Sequence, residues 1–218
     1  MTQLNAGGGS FMLRNALAGV AISAAAVLCL NAPGVAATKS GRYASVGQRT
    51  PAPPIGWVQF CQTYGTECET KPLPPRDVVL GEKAWSDLKR VNDWANHNIK
   101  PVTDIDHYGM IQWWRYPDDG AGACHSFALL KRRLLMQAGW PRQALLMTIV
   151  HEADGEGHAV LTVKTDRGEF ILDNLTDDIL LWSKAPYHYY KRQSQDDPNV
   201  WVWLDDPSDV ASSTMRAR

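Results

Sequence analysis

Cys124 stands behind a glycine-broken turn, Gly120-Ala121-Gly122-Ala123, and at the head of an apolar-periodic run that reads as a long helix. A thiol at a helix N-terminus lies near unpaired N–H groups and the positive end of the helix dipole, which favours the thiolate. The thiolate is the nucleophile, so Cys124 is the first candidate for chemistry. Such a nucleophile needs a base within hydrogen-bond reach and a third group to orient that base. Of the six histidines, His158 opens a strand-like segment behind Glu156-Gly157, and Asp173 lies on the next strand of the same expected hairpin. The three together form the layout of a Cys-His-Asp triad. Singly, each has a plainer reading: a buried structural thiol, a strand-end histidine satisfied by backbone, and a turn or cap acid before Asn174. His151 is the fallback base. Successive helix residues point about 100° apart, which argues against His125 as a substitute.

The elements that must position these residues are marked locally. Phe127, Leu130, Leu134 and Ala138 fall on one stripe of the cysteine helix with Leu135 beside it, while Lys131, Arg132 and Arg133 interrupt. Basic residues in the latter half suit the negative end of the dipole. Gly139 takes a C-cap position, with Pro141 two beyond. Segments 144–150, 157–164 and 169–175 have strand length, with Asp166-Arg167-Gly168 turning between the last two. A helix followed by an antiparallel sheet predicts an α+β fold in which the cysteine helix packs on the sheet. The turn sets a condition. If Asp166-Arg167 is a two-residue turn, His158 and Asp173 share a sheet face; a three-residue turn with a bulge at Gly168 puts them on opposite faces.

Upstream, Trp85, Leu88, Val91 and Trp94 recur at three-residue steps, predicting an amphipathic helix from Gly81 or Glu82 to about Asn98. Thr103 to Gly109 holds two acids and a histidine, but the spacing matches no metal motif, and acids after a proline commonly cap a turn. Residues 110–119 are aromatic and lead into the glycine turn, as a wall beside Cys124. Residues 182–190 read as an aromatic loop, and 199–204 as another strand.

The 218 residues, 44% hydrophobic, suffice for one domain with a sizeable core, and a net charge of −1 gives no reason to expect a nucleic-acid partner. Residues 1–37 read as a signal peptide. Arg14 precedes an apolar run from Ala16 to Leu30, Asn31-Ala32-Pro33-Gly34 breaks it, and Val35-Ala36-Ala37 fits a cleavage site. Met12 gives a tidier basic start than Met1. The run is shorter than the ~20 residues of a membrane span, so no span is expected once the signal is removed. Residues 38–54 then form a flexible lead-in, 55–206 a single domain, and 207–218 a tail. Cys29 leaves with the signal, so the four cysteines become three. Cys61 and Cys68 bracket a short loop and, in an oxidising compartment, are expected to pair, leaving Cys124 as the free thiol.

The run Cys124-His125-Ser126-Phe127-Ala128-Leu129-Leu130-Lys131-Arg132-Arg133, then Ala138-Gly139-Trp140-Pro141, Gly155-Glu156-Gly157-His158-Ala159-Val160-Leu161 and Leu172-Asp173-Asn174-Leu175, resembles the bacterial transglutaminase-like cysteine peptidases. That family includes periplasmic peptidases that process adhesins. The likeness runs from about Ile55 to Leu204. It implies a papain-like, transglutaminase-like fold, with Cys124 as nucleophile, His158 as base and Asp173 as its orienter, acting on a cell-envelope protein such as an adhesin in the periplasm or outside the cell. Family members carry Gly-Asp-Cys-Glu-Asp-Tyr at the helix start, with the flanking acids linked to calcium. This chain has Gly122-Ala123-Cys124-His125-Ser126-Phe127. Calcium seeks several oxygen ligands, so its site is expected to be lost, leaving no cofactor. Two further readings use the same scaffold: a non-catalytic binding module, and transglutaminase-type acyl transfer to an amine.

Overall fold

The computed structural model describes residues 41–68 and 71–204; the signal-peptide and tail expectations lie outside them. The chain begins with β1 (Val46–Arg49), α1 (Ile55–Thr63), α2 (Gly65–Cys68) and α3 (Glu82–Asn98). Next come β2 (Lys100–Pro101), α4 (Asp104–Tyr108), β3 (Ala121–Gly122) and α5 (Cys124–Gln137). The remainder is sheet: β4 (Leu145–His151), β5 (Gly157–Thr165), β6 (Gly168–Leu172), β7 (Leu180–Leu181), β8 (His188–Gln193) and β9 (Trp201–Leu204).

Seven strands make one sheet in the order β1-β9-β8-β4-β5-β6-β7, with every neighbouring pair antiparallel. Its helix-side face packs Met147, Leu161, Val163 and Leu172 against Leu88 and Val91 of α3 and Leu129 and Leu135 of α5. The other face carries a smaller core of Val150, Val160, Ile171, Trp182, Tyr189 and Leu204. This is the expected α+β arrangement, with the cysteine helix packed on an antiparallel sheet.

α5 ends where its sequence says it should. Gly139 adopts φ 90, the left-handed conformation glycine takes without steric cost. Its N–H donates to Met136 O and that of Trp140 to Leu135 O, which satisfies carbonyls the helix end would leave unpaired. The start is different. Ala123 is extended, and no side chain caps the first turn. β3 pairs in parallel with β2, Lys100 opposite Ala121 and Pro101 opposite Gly122, so the glycine turn is tied to the end of α3.

Several local expectations change. The lead-in is not slack over its described part: β1 pairs with β9, Ala44 is buried, and its N–H donates to Glu169. Glu169 itself is buried between Lys164 and Arg192, at 2.6 Å from each. The loop expected over 182–190 contains the start of β8, which pairs with β4 and β9 and so occupies an interior place in the sheet. On α3, Leu88, Val91, Asn92 and Ala95 are buried, whereas Trp94 is 48% exposed. At about 100° per residue, nine residues rotate half a turn, so Trp85 and Trp94 do not share a stripe. Lys131 and Arg132, read as interruptions on α5, are buried.

Candidate active site

The hairpin of β5 and β6 decides the geometry of the candidate base and acid. Thr165 is opposite Gly168 and Leu161 opposite Leu172, so Asp166-Arg167 is a two-residue turn. β6 ends at Leu172, short of the strand expected to Leu175, and its register carried one residue further sets Asp173 on the same side as His158, Val160 and Ile171. His158 Nε2 lies 2.8 Å from Asp173 Oδ1, and both residues are buried. Asp173 Oδ1 also accepts the Leu175 N–H, at 3.2 Å, and Oδ2 accepts a short hydrogen bond from the Tyr187 hydroxyl. With Nε2 on the carboxylate, His158 keeps Nδ1 for the thiol.

Cys124 is half-buried and unpaired, while Cys61 and Cys68 are joined as a disulfide. Burial works against its thiolate, but hydrogen bonds and positive charge from His125 and His158 outweigh that and lower the thiol to about 6. Burial likewise opposes the imidazolium of His158, yet Asp173 and then Cys124 raise it to about 10. Asp173 is lowered: the contact with His158 and the Tyr187 and Leu175 donors overcome its burial. At neutral pH the pair is thus thiolate and imidazolium, the reactive form of a cysteine–histidine couple.

His125 is the residue sequence reasoning undervalued. Its ring is buried, stacks on Trp114 with centroids 5.4 Å apart and planes 7° apart, and places Nε2 3.3 Å from both Asp104 Oδ1 and Trp113 O. Burial opposes its charge, but Asp104 and Cys124 raise it to about 9. The divergence of adjacent helix side chains holds, yet the imidazole is long enough to reach the neighbouring thiol. Asp104, read as a turn acid, is buried and accepts the Trp113 N–H at 2.7 Å; Thr103 caps α4 instead. The aromatic stretch before the glycine turn supports His125 through Trp113 and Trp114. His151, the fallback base, packs its ring on Tyr190.

Cys124, His125 and His158 open into a cleft of about 750 Å³, whose lining also includes Ile105, Ile111, Glu152 and Glu156. An extended peptide needs such an open groove to present a carbonyl to the thiol. The donor set at the helix start is poor for calcium. Ala123 offers a methyl, and Asp104, the nearby carboxylate, already faces the His125 imidazole. Among the described residues, no group of three or more His, Cys, Asp or Glu side chains is placed to hold a metal.

A cysteine at the head of a helix, packed on an antiparallel sheet that carries a histidine–aspartate pair, defines a transglutaminase-like cysteine peptidase. The chain belongs to the bacterial transglutaminase-like cysteine proteinases, whose family model matches residues 47–209. Among solved structures it is similar to calcium-bound LapG of Legionella pneumophila: 25% identity, TM-score 0.47, over 55% of this chain and 68% of that one. A second structure of the same organism's LapG matches at 23% identity and TM-score 0.46, over 60% and 75% of the two chains. The EGTA-treated form matches at 22% and 0.47, over 61% and 78%. No curated protein matches the sequence.

Proposed function

We propose that this protein is an exported cysteine peptidase that cleaves a peptide bond in a cell-envelope protein, an adhesin being the leading candidate. Cys124 acts as nucleophile, His158 as base and acid, and Asp173 as orienter. The observation that carries the assignment is the 2.8 Å contact between His158 Nε2 and Asp173 Oδ1, made beside a thiol lowered to about 6. The Cys124 thiolate attacks the scissile carbonyl carbon, forming a C–S bond and an oxyanion. The Cys124 main-chain N–H, in a helix start without a side-chain cap, is a donor for that oxyanion. His158 gives its proton to the departing amine as the C–N bond breaks, leaving a thioester. Water then attacks, its proton passes to His158, and the acid leaves as the thiolate returns.

Export rests on the sequence of residues 1–37 and agrees with the Cys61–Cys68 disulfide, which persists in oxidising compartments. No helix among the described residues is long and apolar enough to cross a membrane. A calcium requirement at the helix start does not fit Ala123, His125 and Ser126, and the mechanism above uses none.

The deciding experiment compares envelope proteins from cells producing the wild type or Cys124→Ala, with purified protein then added to the candidate. One species that stays full length with the variant, and is cut by pure wild type, is expected. No such species, together with a Cys124 inert to thiol-reactive peptide electrophiles, would favour the binding module. Capture of the thioester by an added amine in preference to water would move the assignment to acyl transfer.

A further inference from the structure

Lys131 lies seven residues after Cys124, two turns along the same side of α5 and about 10 Å down the axis. It is fully buried. An ammonium has three donors, and here all three are used at 2.7 Å: on Asn92 Oδ1 and Asn96 Oδ1 of α3, and on the main-chain carbonyl of Asp173. No carboxylate touches it among these contacts, so a buried cation is held entirely by neutral oxygens. Burying an ammonium is costly, and an apolar side chain of similar length would fill the volume without that cost. What an apolar side chain would not do is tie three elements together.

The tie ends on the candidate catalytic acid. Asp173 O accepts from Lys131 and also from Asn96 Nδ2 at 3.0 Å, so both of its lone pairs are engaged. Asn96 Nδ2 also reaches Thr176 O and Asp177 Oδ1, and Asn92 Nδ2 reaches Asp177 O. The turn after β6 is thus gripped from α3 and α5 on its main-chain side. Its carboxylate side is left to His158, Tyr187 and the Leu175 N–H. We propose that Lys131 is a positioning residue for the hydrolytic reaction, fixing the backbone of Asp173 so that its carboxylate meets the His158 imidazole in hydrogen-bonding geometry.

This inference rests on the Cys124-His158-Asp173 assignment. The charged groups around Lys131 are Asp93 on α3, and Asp173 and Asp177 in the turn; burial lowers the ammonium to about 7 against their pull. At pH 6, where the Cys124 titration is read, Lys131 is charged.

The test measures the rate of Cys124 alkylation by iodoacetamide against pH, alongside kcat/KM on a peptide substrate. Wild type, His158→Ala, Lys131→Met and Asn96→Ala are compared, each checked for folding by circular dichroism. In Lys131→Met the alkylation midpoint is expected to rise by about one unit, because a displaced carboxylate holds His158 less well. kcat is expected to fall about ten-fold with KM little changed. Asn96→Ala is expected to move the midpoint in the same direction by less. A folded Lys131→Met with the wild-type midpoint overturns the inference, since a purely structural role leaves the thiol of the folded protein unchanged. Should that variant not fold, an unshifted midpoint in Asn96→Ala overturns it. A wild-type midpoint that His158→Ala leaves in place overturns the triad assignment instead.

Discussion

His158 and Asp173 meet at 2.8 Å as diagonal neighbours, not as a cross-strand pair. The β5–β6 register that sets Leu161 opposite Leu172 puts Asp173 beside Val160, two residues further along β5 than His158. Diagonal residues on one face lie within reach of long side chains, and the imidazole spans the gap. The contact therefore depends on the two-residue turn at Asp166-Arg167. Inserting one glycine between them moves Asp173 to the other face or forces a bulge. Peptidase activity is expected to fall below detection while the alkylation midpoint of Cys124 rises, with His125 left to hold it down. Full activity in a folded insertion variant would refute the register argument.

Asp173→Asn keeps the shape of the carboxylate and removes its charge. It is expected to lower kcat/KM by roughly 10²-fold or more, with the Cys124 midpoint moving up as His158 loses its partner. Single-turnover acylation by an activated ester separates this from a binding defect.

The pH profile follows from the shifts. The thiolate forms as pH rises through about 6, and His158 stays protonated to about 10. kcat/KM is expected to rise with a midpoint near 6, to decline in part above about 7 as Lys131 loses its proton, and to fall further as pH approaches 9 to 10, where His125 and then His158 lose theirs. A profile centred below pH 5 would contradict the thiolate–imidazolium pair.

His125→Gln tests the buried pair with Asp104. Removing one partner leaves the other uncompensated, at a cost of about 3 kcal/mol when both are buried. His125 is raised to about 9, so the folded state binds its proton more tightly than the unfolded chain. Its contribution is fully present below the unfolded value near 6.5 and is lost as pH rises through about 9. The gap in unfolding free energy between wild type and variant, measured in urea, should be large at pH 6 and narrow by pH 10.

Activity is expected to be indifferent to EGTA and to added calcium, because Ala123 and His125 offer no side-chain oxygen and Ser126 only one neutral hydroxyl, where a hard cation needs several oxygens. Activity that disappears on chelation and returns with calcium would sink this reading.

Gly122 backs onto the first turn of α5. A Cβ there would stand 2.6 Å from Ser126 Cβ, so Gly122→Ala must push the helix start that carries Cys124. Loss of both kcat/KM and thermal stability is expected, with partial recovery in the Gly122→Ala, Ser126→Gly double variant. Simple additivity of the two changes would show that the clash is not the cause.

Features set by neighbours along the chain were legible without coordinates. The glycine turn, the start of α5 at Cys124, its end at Gly139 and the β5–β6 hairpin depend on backbone preferences a few residues long, and they place the Cys124 thiol and the two strands. The resemblance carried the roles of His158 and Asp173, and the hairpin left two registers open until the pairing of Thr165 with Gly168 chose one. Lys131 and Arg132 have the same local pattern as solvated lysines and arginines. Their burial comes from α3 and the turn after β6 around Lys131, and from Glu67 and Trp57 beside Arg132. His125 and Asp104 are 21 residues apart, and nothing in either segment announces the other. Short-range periodicity reports what a residue prefers, whereas the partner of a buried charge is supplied by whichever distant segment packs against it, and that is a property of the closed fold.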